Sequence, residues 1–243
     1  VKAVQVYTHI LAGSIKKGVW VMDRQEILSK VDHTILYAYA SWEDIQRICK
    51  EAIESKTASV CIPPCYVSRV RKTFGDQLRI CTVVGFPLGY SVTSAKLEEA
   101  RAAVRDGADE IDMVINIADV KNGDYEKVTD EIRQIKECIG DKILKVIIET
   151  CYLSVEEKIA MCSIVTEAKA DFIKTSTGFG TGGATLEDIK LMKKHIGPDV
   201  KIKAAGGIRT VADMEAYISE GCARLGSSSA VKILNDMESG NGY

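Results

Sequence analysis

Short apolar runs alternate with longer amphipathic stretches along most of the chain. The runs Lys30–Leu36, Ala58–Ile62, Ile80–Gly85, Glu110–Ile115, Ile143–Glu149, Phe172–Thr175, Val200–Ala204 and Ala223–Gly226 are rich in Val and Ile. Most are apolar on both faces, as strands buried in a parallel sheet are. Between them, Trp42–Ser55, Ala95–Asp106, Tyr125–Ile139, Val155–Lys169, Leu186–His195 and Val211–Ser219 repeat apolar residues at helical spacing.

The predicted helices have marked ends. Ser154 stands three before Glu157, Thr185 three before Asp188 and Thr210 three before Asp213, the spacing of a capping box. Gly107, Gly140, Gly197 and Gly221 stand where a left-handed cap residue is expected. Strands recur every 22–33 residues, the length of one strand-helix unit. Eight such units in a chain of 243 residues predict an α/β fold of the (β/α)8, or TIM, barrel type in a single domain. An open, doubly wound sheet is the competing architecture. In both, ligands bind beyond the C-terminal ends of the strands.

Composition narrows the function classes. The net charge of −2 gives no electrostatic footprint for nucleic acid or an anionic membrane surface. No apolar run approaches the roughly 18–20 residues that span a bilayer, and Val1 to Trp20 lacks the compact apolar core of a signal peptide. Eight scattered cysteines, none in C-x-x-C spacing, read as reduced and mostly structural, which predicts a cytoplasmic location. His9, His33 and His195 show no metal-ligand spacing, so no metal site is expected, and no G-x-S-x-G elbow points to a hydrolase.

Charges near strand ends are more informative. Lys174 and Lys203 each fall near the end of a predicted strand, just before a glycine-bearing loop. If those strands are neighbours, two ammonium groups face one pocket, and that arrangement favours a neutral lysine able to attack a carbonyl; the plainer alternative is a pair of snorkelling surface lysines. In Glu110–Asn116, alternation puts Asp112, Val114 and Asn116 on one face. A carboxylate inside an apolar strand calls for a partner, such as a lysine across the barrel or a structural ion pair. Asp32, with Thr34 on its face, poses the same question.

Gly206-Gly207-Ile208-Arg209-Thr210 and Gly226-Ser227-Ser228-Ser229 each follow a strand and open a helix. Loops after strands seven and eight of a barrel often cradle phosphate on backbone N–H groups, though ordinary turns with a capping serine look similar. Gly178-Phe179-Gly180-Thr181-Gly182-Gly183 fits a dinucleotide fingerprint. The next strand, however, ends in Lys203 and a glycine pair where such a site wants an acid.

Taken together, 172–185, 203–210 and 226–229 resemble the hallmark segments of the deoxyribose-phosphate aldolases, a class I aldolase family, as do Val31-Asp32-His33-Thr34, Val60-Cys61-Ile62-Pro63, 82–89 and 107–114. The resemblance runs from about Arg24 to Leu234. It implies a (β/α)8 barrel that reversibly cleaves 2-deoxy-D-ribose 5-phosphate to acetaldehyde and D-glyceraldehyde 3-phosphate in deoxynucleoside breakdown, with no cofactor. By the same resemblance, Lys174 is the Schiff-base nucleophile, Lys203 depresses its pKa and shares its protons, and Asp112 donates and accepts protons. Thr177 binds substrate, Gly178, Gly206, Gly207, Arg209, Gly226, Ser228 and Ser229 hold its phosphate, and Asp32, Thr34 and Cys61 line the sugar end. The resemblance also implies a small phosphosugar as partner and a homo-oligomer, dimer or tetramer. Ala204 and Phe179 stand where some relatives carry Pro and Lys. The rivals are a barrel aldolase of another phosphosugar, a non-catalytic phosphosugar-binding protein and an NAD-binding oxidoreductase. The expected organisation is an extension over 1–22, the barrel over 23–236 and a flexible tail over 237–243, whose Tyr243 is a candidate for proton transfer.

Overall fold

The computed structural model describes residues 22–240. Eight strands, β1 (Val31–Thr34), β2 (Ser59–Ile62), β3 (Ile80–Val84), β4 (Glu110–Val114), β5 (Ile143–Ile147), β6 (Phe172–Lys174), β7 (Lys201–Ala205) and β8 (Arg224–Ser227), pair in parallel in chain order. Strand β8 then pairs with β1, which closes the barrel and excludes the open sheet. Helix α1 (Arg24–Leu28) precedes β1, and α2 (Trp42–Glu54), α3 (Val67–Phe74) and α4 (Thr93–Arg105) follow the first three strands. After β4 come α5 (Ile117–Asn122) and α6 (Tyr125–Ile139); α7 (Val155–Glu167), α8 (Leu186–His195), α9 (Val211–Glu220) and α10 (Ala230–Gly240) follow the other strands in turn.

Alternation along each strand sorts the core into two populations. Ile111, Met113, Leu144, Val146, Ile173, Ile202 and Leu225 face outward and pack with helix residues such as Ile132, Met161, Ile189 and Met214 in one continuous apolar cluster. The alternate residues face the lumen, where the charged side chains gather. Lys96, fully buried on α4, fastens the end of β4 by donating to the Val114 carbonyl at 2.9 Å and to Glu131 at 2.7 Å.

Ser154 and Thr210 form complete capping boxes with Glu157 and Asp213. Thr185 accepts the Asp188 N–H alone, because the Asp188 carboxylate is drawn 2.6 Å from Lys158 on α7. Gly221 caps α9 in the left-handed conformation expected; Gly140 caps α6 at φ +63° but ψ −120°, outside that region, and α8 is capped by Ile196, one residue before Gly197. Helices α1, α3 and α5 are not among the predicted elements. They are five, eight and six residues long, too short for a clear period. Helix α10 runs on to Gly240, into the segment expected as a tail. The extension before Met22 and Tyr243 lie outside the described residues. No helix among the described residues is long and apolar enough to cross a membrane.

Candidate active site

The barrel closure brings β4, β6 and β7 together across one lumen, and Lys174 and Lys203 occupy register-matched positions on neighbouring strands. Both ammonium groups converge on one carboxylate oxygen: Asp112 Oδ2 lies 2.6 Å from Lys174 Nζ and 2.7 Å from Lys203 Nζ. Lys203 also donates to Asp32 at 2.5 Å. Below them lies a residue that the sequence reading passed over. Lys145 on β5 is fully buried, 2.8 Å from Asp112 Oδ1, 2.7 Å from Glu110 and 3.5 Å from Asp32. Arg224 at the start of β8 closes the network with a two-pronged contact to Glu110 at 3.0 and 3.1 Å and a further bond to Asp32. The Ser59 hydroxyl donates to Asp32 at 2.7 Å.

Four cations, Lys145, Lys174, Lys203 and Arg224, therefore meet three carboxylates, Asp32, Glu110 and Asp112. Burial alone would push the Asp112 carboxyl up, but Lys145, Lys174 and Lys203 overcome it and hold it well below the carboxylate range. Asp32 behaves alike: Lys203, Lys145 and Arg224 outweigh its burial and lower it. Burial works to strip the protons from Lys203 and Lys145, yet Asp112 with Asp32 holds Lys203 above the ordinary lysine range. Asp112, Cys81, Asp32 and Glu110 do the same for Lys145. Lys145 and Lys203 are thus fixed cations with at least two carboxylates each. Lys174 shares its single carboxylate with both of them, and unlike them it reaches the wall of an open cavity.

That cavity, about 400 Å³ in volume, opens at the C-terminal mouth of the barrel. Thr34, Thr177, Gly178, Gly206, Gly207, Gly226, Ser227 and Ser228 line it along with Lys174. Gly178, Gly206 and Gly207 have φ of +86°, +80° and +76°, a backbone region closed to most side chains. The N–H groups of Gly178, Gly207 and Ser228 donate to no protein group among the described residues. The Ser227 hydroxyl accepts the N–H groups of Ser229 and Ala230 at 3.2 and 3.1 Å and so caps α10, whose positive end adjoins the cavity. Leu36, which lines the cavity, and Phe86 pack against the buried cluster of Cys61, Cys81 and Val83. Phe179 meets Phe86 edge-on with ring centroids 5.3 Å apart, so the position where some relatives carry Lys holds an aromatic contact.

Lys174, Lys203, Asp112 and Asp32 share one hydrogen-bonded cluster, with Asp32 in its floor rather than on the cavity wall. Cys61 is buried in the cluster behind Leu36 and does not line the cavity. Arg209 is exposed and Ser229 half-buried, and neither lines the cavity, whereas Ser227 of the same serine loop does. Glu110, Lys145 and Arg224 share one signal in the sequence: a charge at the lumen-facing parity of an apolar strand. The donor atoms of Cys61, Cys81 and Asp112 lie within 4.8 Å of one another, close enough to ligate a metal. The Lys145 ammonium is already 3.2 Å from Cys81 and 2.8 Å from Asp112, a fixed positive charge that opposes a second cation there.

A closed eight-stranded barrel with a lysine at the cavity wall, backed by fixed cations and a shared carboxylate, has the architecture of a lysine-dependent aldolase. The sequence matches the DeoC/LacD family of aldolases over residues 21–234, and the chain belongs to that family. It is 66% identical over 222 residues to the deoxyribose-phosphate aldolase of Clostridium botulinum (strain Alaska E43 / Type E3), covering 91% of this chain and all of that one. Against the enzyme of the same name from Clostridioides difficile (strain 630), identity is 59% over 212 residues, or 87% and 97% of the two chains. Among solved structures, the tetrameric deoxyribose phosphate aldolase of Aeropyrum pernix superposes with a TM-score of 0.81 at 28% identity, covering 89% of this chain and 93% of that one.

Proposed function

We infer that this chain reversibly cleaves 2-deoxy-D-ribose 5-phosphate to acetaldehyde and D-glyceraldehyde 3-phosphate, and that Lys174 carries the reaction as a Schiff base. The observation that supports this assignment most is the contrast among three lysines. Lys145 and Lys203 are held as cations by several carboxylates, while Lys174 alone reaches the cavity. Attack requires the free amine, and Lys174 is the one of the three with a single carboxylate partner.

The amine adds to the C1 aldehyde of the open-chain sugar to give a carbinolamine, which loses water to become an iminium. Asp112, in contact with both Lys174 and Lys203, passes the protons these steps require, with Lys203 as the second station. The C3 hydroxyl gives up its proton and the C2–C3 bond breaks. Its electrons flow into the iminium, releasing glyceraldehyde 3-phosphate and leaving an enamine. Protonation of the enamine carbon and hydrolysis return acetaldehyde and the free lysine. The glycine loops after β6 and β7 and the capped start of α10 hold the phosphate at the rim. Leu36 and Phe179 give the cavity apolar lining near Lys174. The setting is cytoplasmic deoxynucleoside breakdown, by a homo-oligomer.

Incubation with 2-deoxyribose 5-phosphate should yield acetaldehyde and glyceraldehyde 3-phosphate in equal amounts. Turnover of another phosphosugar with none of this one would refute the substrate assignment.

A further inference from the structure

The loop after β6 places Thr177 and Gly178 on the cavity wall three to four residues beyond Lys174, and its shape is fixed from behind. Glu149, just past β5, is buried at 2% exposure and has a left-handed backbone, φ +51°, that is rare for a residue with a side chain. Its two carboxylate oxygens accept the Thr177 N–H at 3.2 and 3.3 Å, and Oε2 also accepts the Thr177 hydroxyl. That hydroxyl accepts the Phe179 N–H at 3.0 Å. The loop lies directly on the carboxylate: a Cβ on Gly180 would stand 3.1 Å from Glu149 Cδ. On its far side the same loop abuts the β7 loop, where a Cβ on Gly183 would meet the Gly206 carbonyl oxygen at 2.3 Å.

A buried carboxylate behind an anion-binding loop works against the anion, so its presence calls for another role. Here it takes up the N–H and hydroxyl of Thr177 and leaves the neighbouring Gly178 N–H as the donor without a protein partner. Because Phe179 is tied to the same hydroxyl, the turn is held on both sides of Gly178. We propose that Glu149 is a positioning residue for the phosphate end of the substrate: it fixes the Thr177–Phe179 turn so that Gly178 serves the cradle, and thereby sets the preference for a phosphorylated sugar over its unphosphorylated counterpart. This rests on the phosphate cradle described above.

The test compares wild type, E149Q and E149A on 2-deoxyribose 5-phosphate and on 2-deoxyribose, with KM and kcat separated and folding checked by thermal melting. E149A should raise KM for the phosphorylated sugar about tenfold and leave kcat within about threefold, with kcat/KM for 2-deoxyribose unchanged. E149Q, whose amide oxygen still accepts the Thr177 N–H, should recover part of that loss. If E149A does not fold, E149Q decides by the same ratio, with a rise of about threefold expected. Equal losses on both sugars, or an unmoved KM ratio, would overturn the role of Glu149 while leaving the cradle intact. A wild type without preference for the phosphorylated sugar would overturn the cradle and this proposal with it.

Discussion

The centre and the rim of this barrel handle charge in opposite ways. At the centre, seven ionisable side chains on six strands are buried in one lumen, and side chains supply the contacts among them. At the rim, glycines, threonine and serines line the cavity, and backbone N–H groups with a helix end supply the polarity. Lys174 belongs to both regions, fed by the centre and facing the rim. The difference follows from the tasks. Proton transfer needs groups locked on strands by opposing charges, whereas a phosphate leaves with product and is better met by dipoles that need no counter-charge afterwards.

If this division is right, substitutions at the centre should disable chemistry and stability, and substitutions at the rim should alter affinity for phosphate. The largest expected effect is that of Lys174→Met, which should lower kcat by about 10⁴-fold or more in a folded protein. A steady-state assay that finds activity within tenfold of wild type would break the comparison. Lys145→Met leaves Asp112 and Glu110 short of a buried cation and should cost about 3–5 kcal/mol in urea unfolding, against about 0.5 kcal/mol or less for exposed Arg209→Ala. Similar values for the two would mean that the central network holds nothing together.

At the rim, Gly207→Ala forces a side chain onto a φ of +76° and should raise KM for the phosphorylated sugar about tenfold with little change in kcat. A fall in kcat with KM unmoved would assign that loop to chemistry instead. The smallest effect concerns adjacent residues of β1. Asp32 points inward and is stabilised by cations, so its contribution is present above the ordinary carboxylate value of 3.8 and is lost as pH falls through its lower folded value. His33 points outward to Glu51 at 2.7 Å, and burial, only partly offset by that contact, lowers its pKa below 6.5. The unfolded chain therefore takes up a proton that the folded one resists, and stability should decline as pH drops below about 6.5. His33→Gln should flatten the decline in unfolding curves between pH 7 and 5; an unaltered slope would count against it.

Much of the centre was legible beforehand, because parity along an apolar strand marks which side chains enter a barrel. Alternation and strand position marked Lys174, Lys203, Asp112 and Asp32 as candidates, with surface lysines and structural ion pairs as alternatives, and the resemblance to the aldolase family supplied their roles. Lys145 carried the same mark within Ile143–Ile147 but stood mid-strand, away from any loop motif, and so drew no notice. The rim was less legible, since backbone geometry decides it. Arg209 has the right charge, yet its chain path leaves it exposed, with its N–H 3.1 Å from Asp213 at the start of α9. Ser227 rather than Ser229 lines the cavity because β8 ends at Ser227 and α10 turns away after it. Glu149 gave no sign at all, because its role depends on a left-handed backbone and a loop 28 residues distant.

The central claim is that one lysine of three is the nucleophile, set apart by its neighbours. Reduction with borohydride in the presence of acetaldehyde, followed by peptide mass mapping, tests it directly. An ethyl group on Lys174, with none on Lys145 or Lys203, is the predicted result. An adduct on Lys203, or none on any lumen lysine of the folded protein, would contradict it.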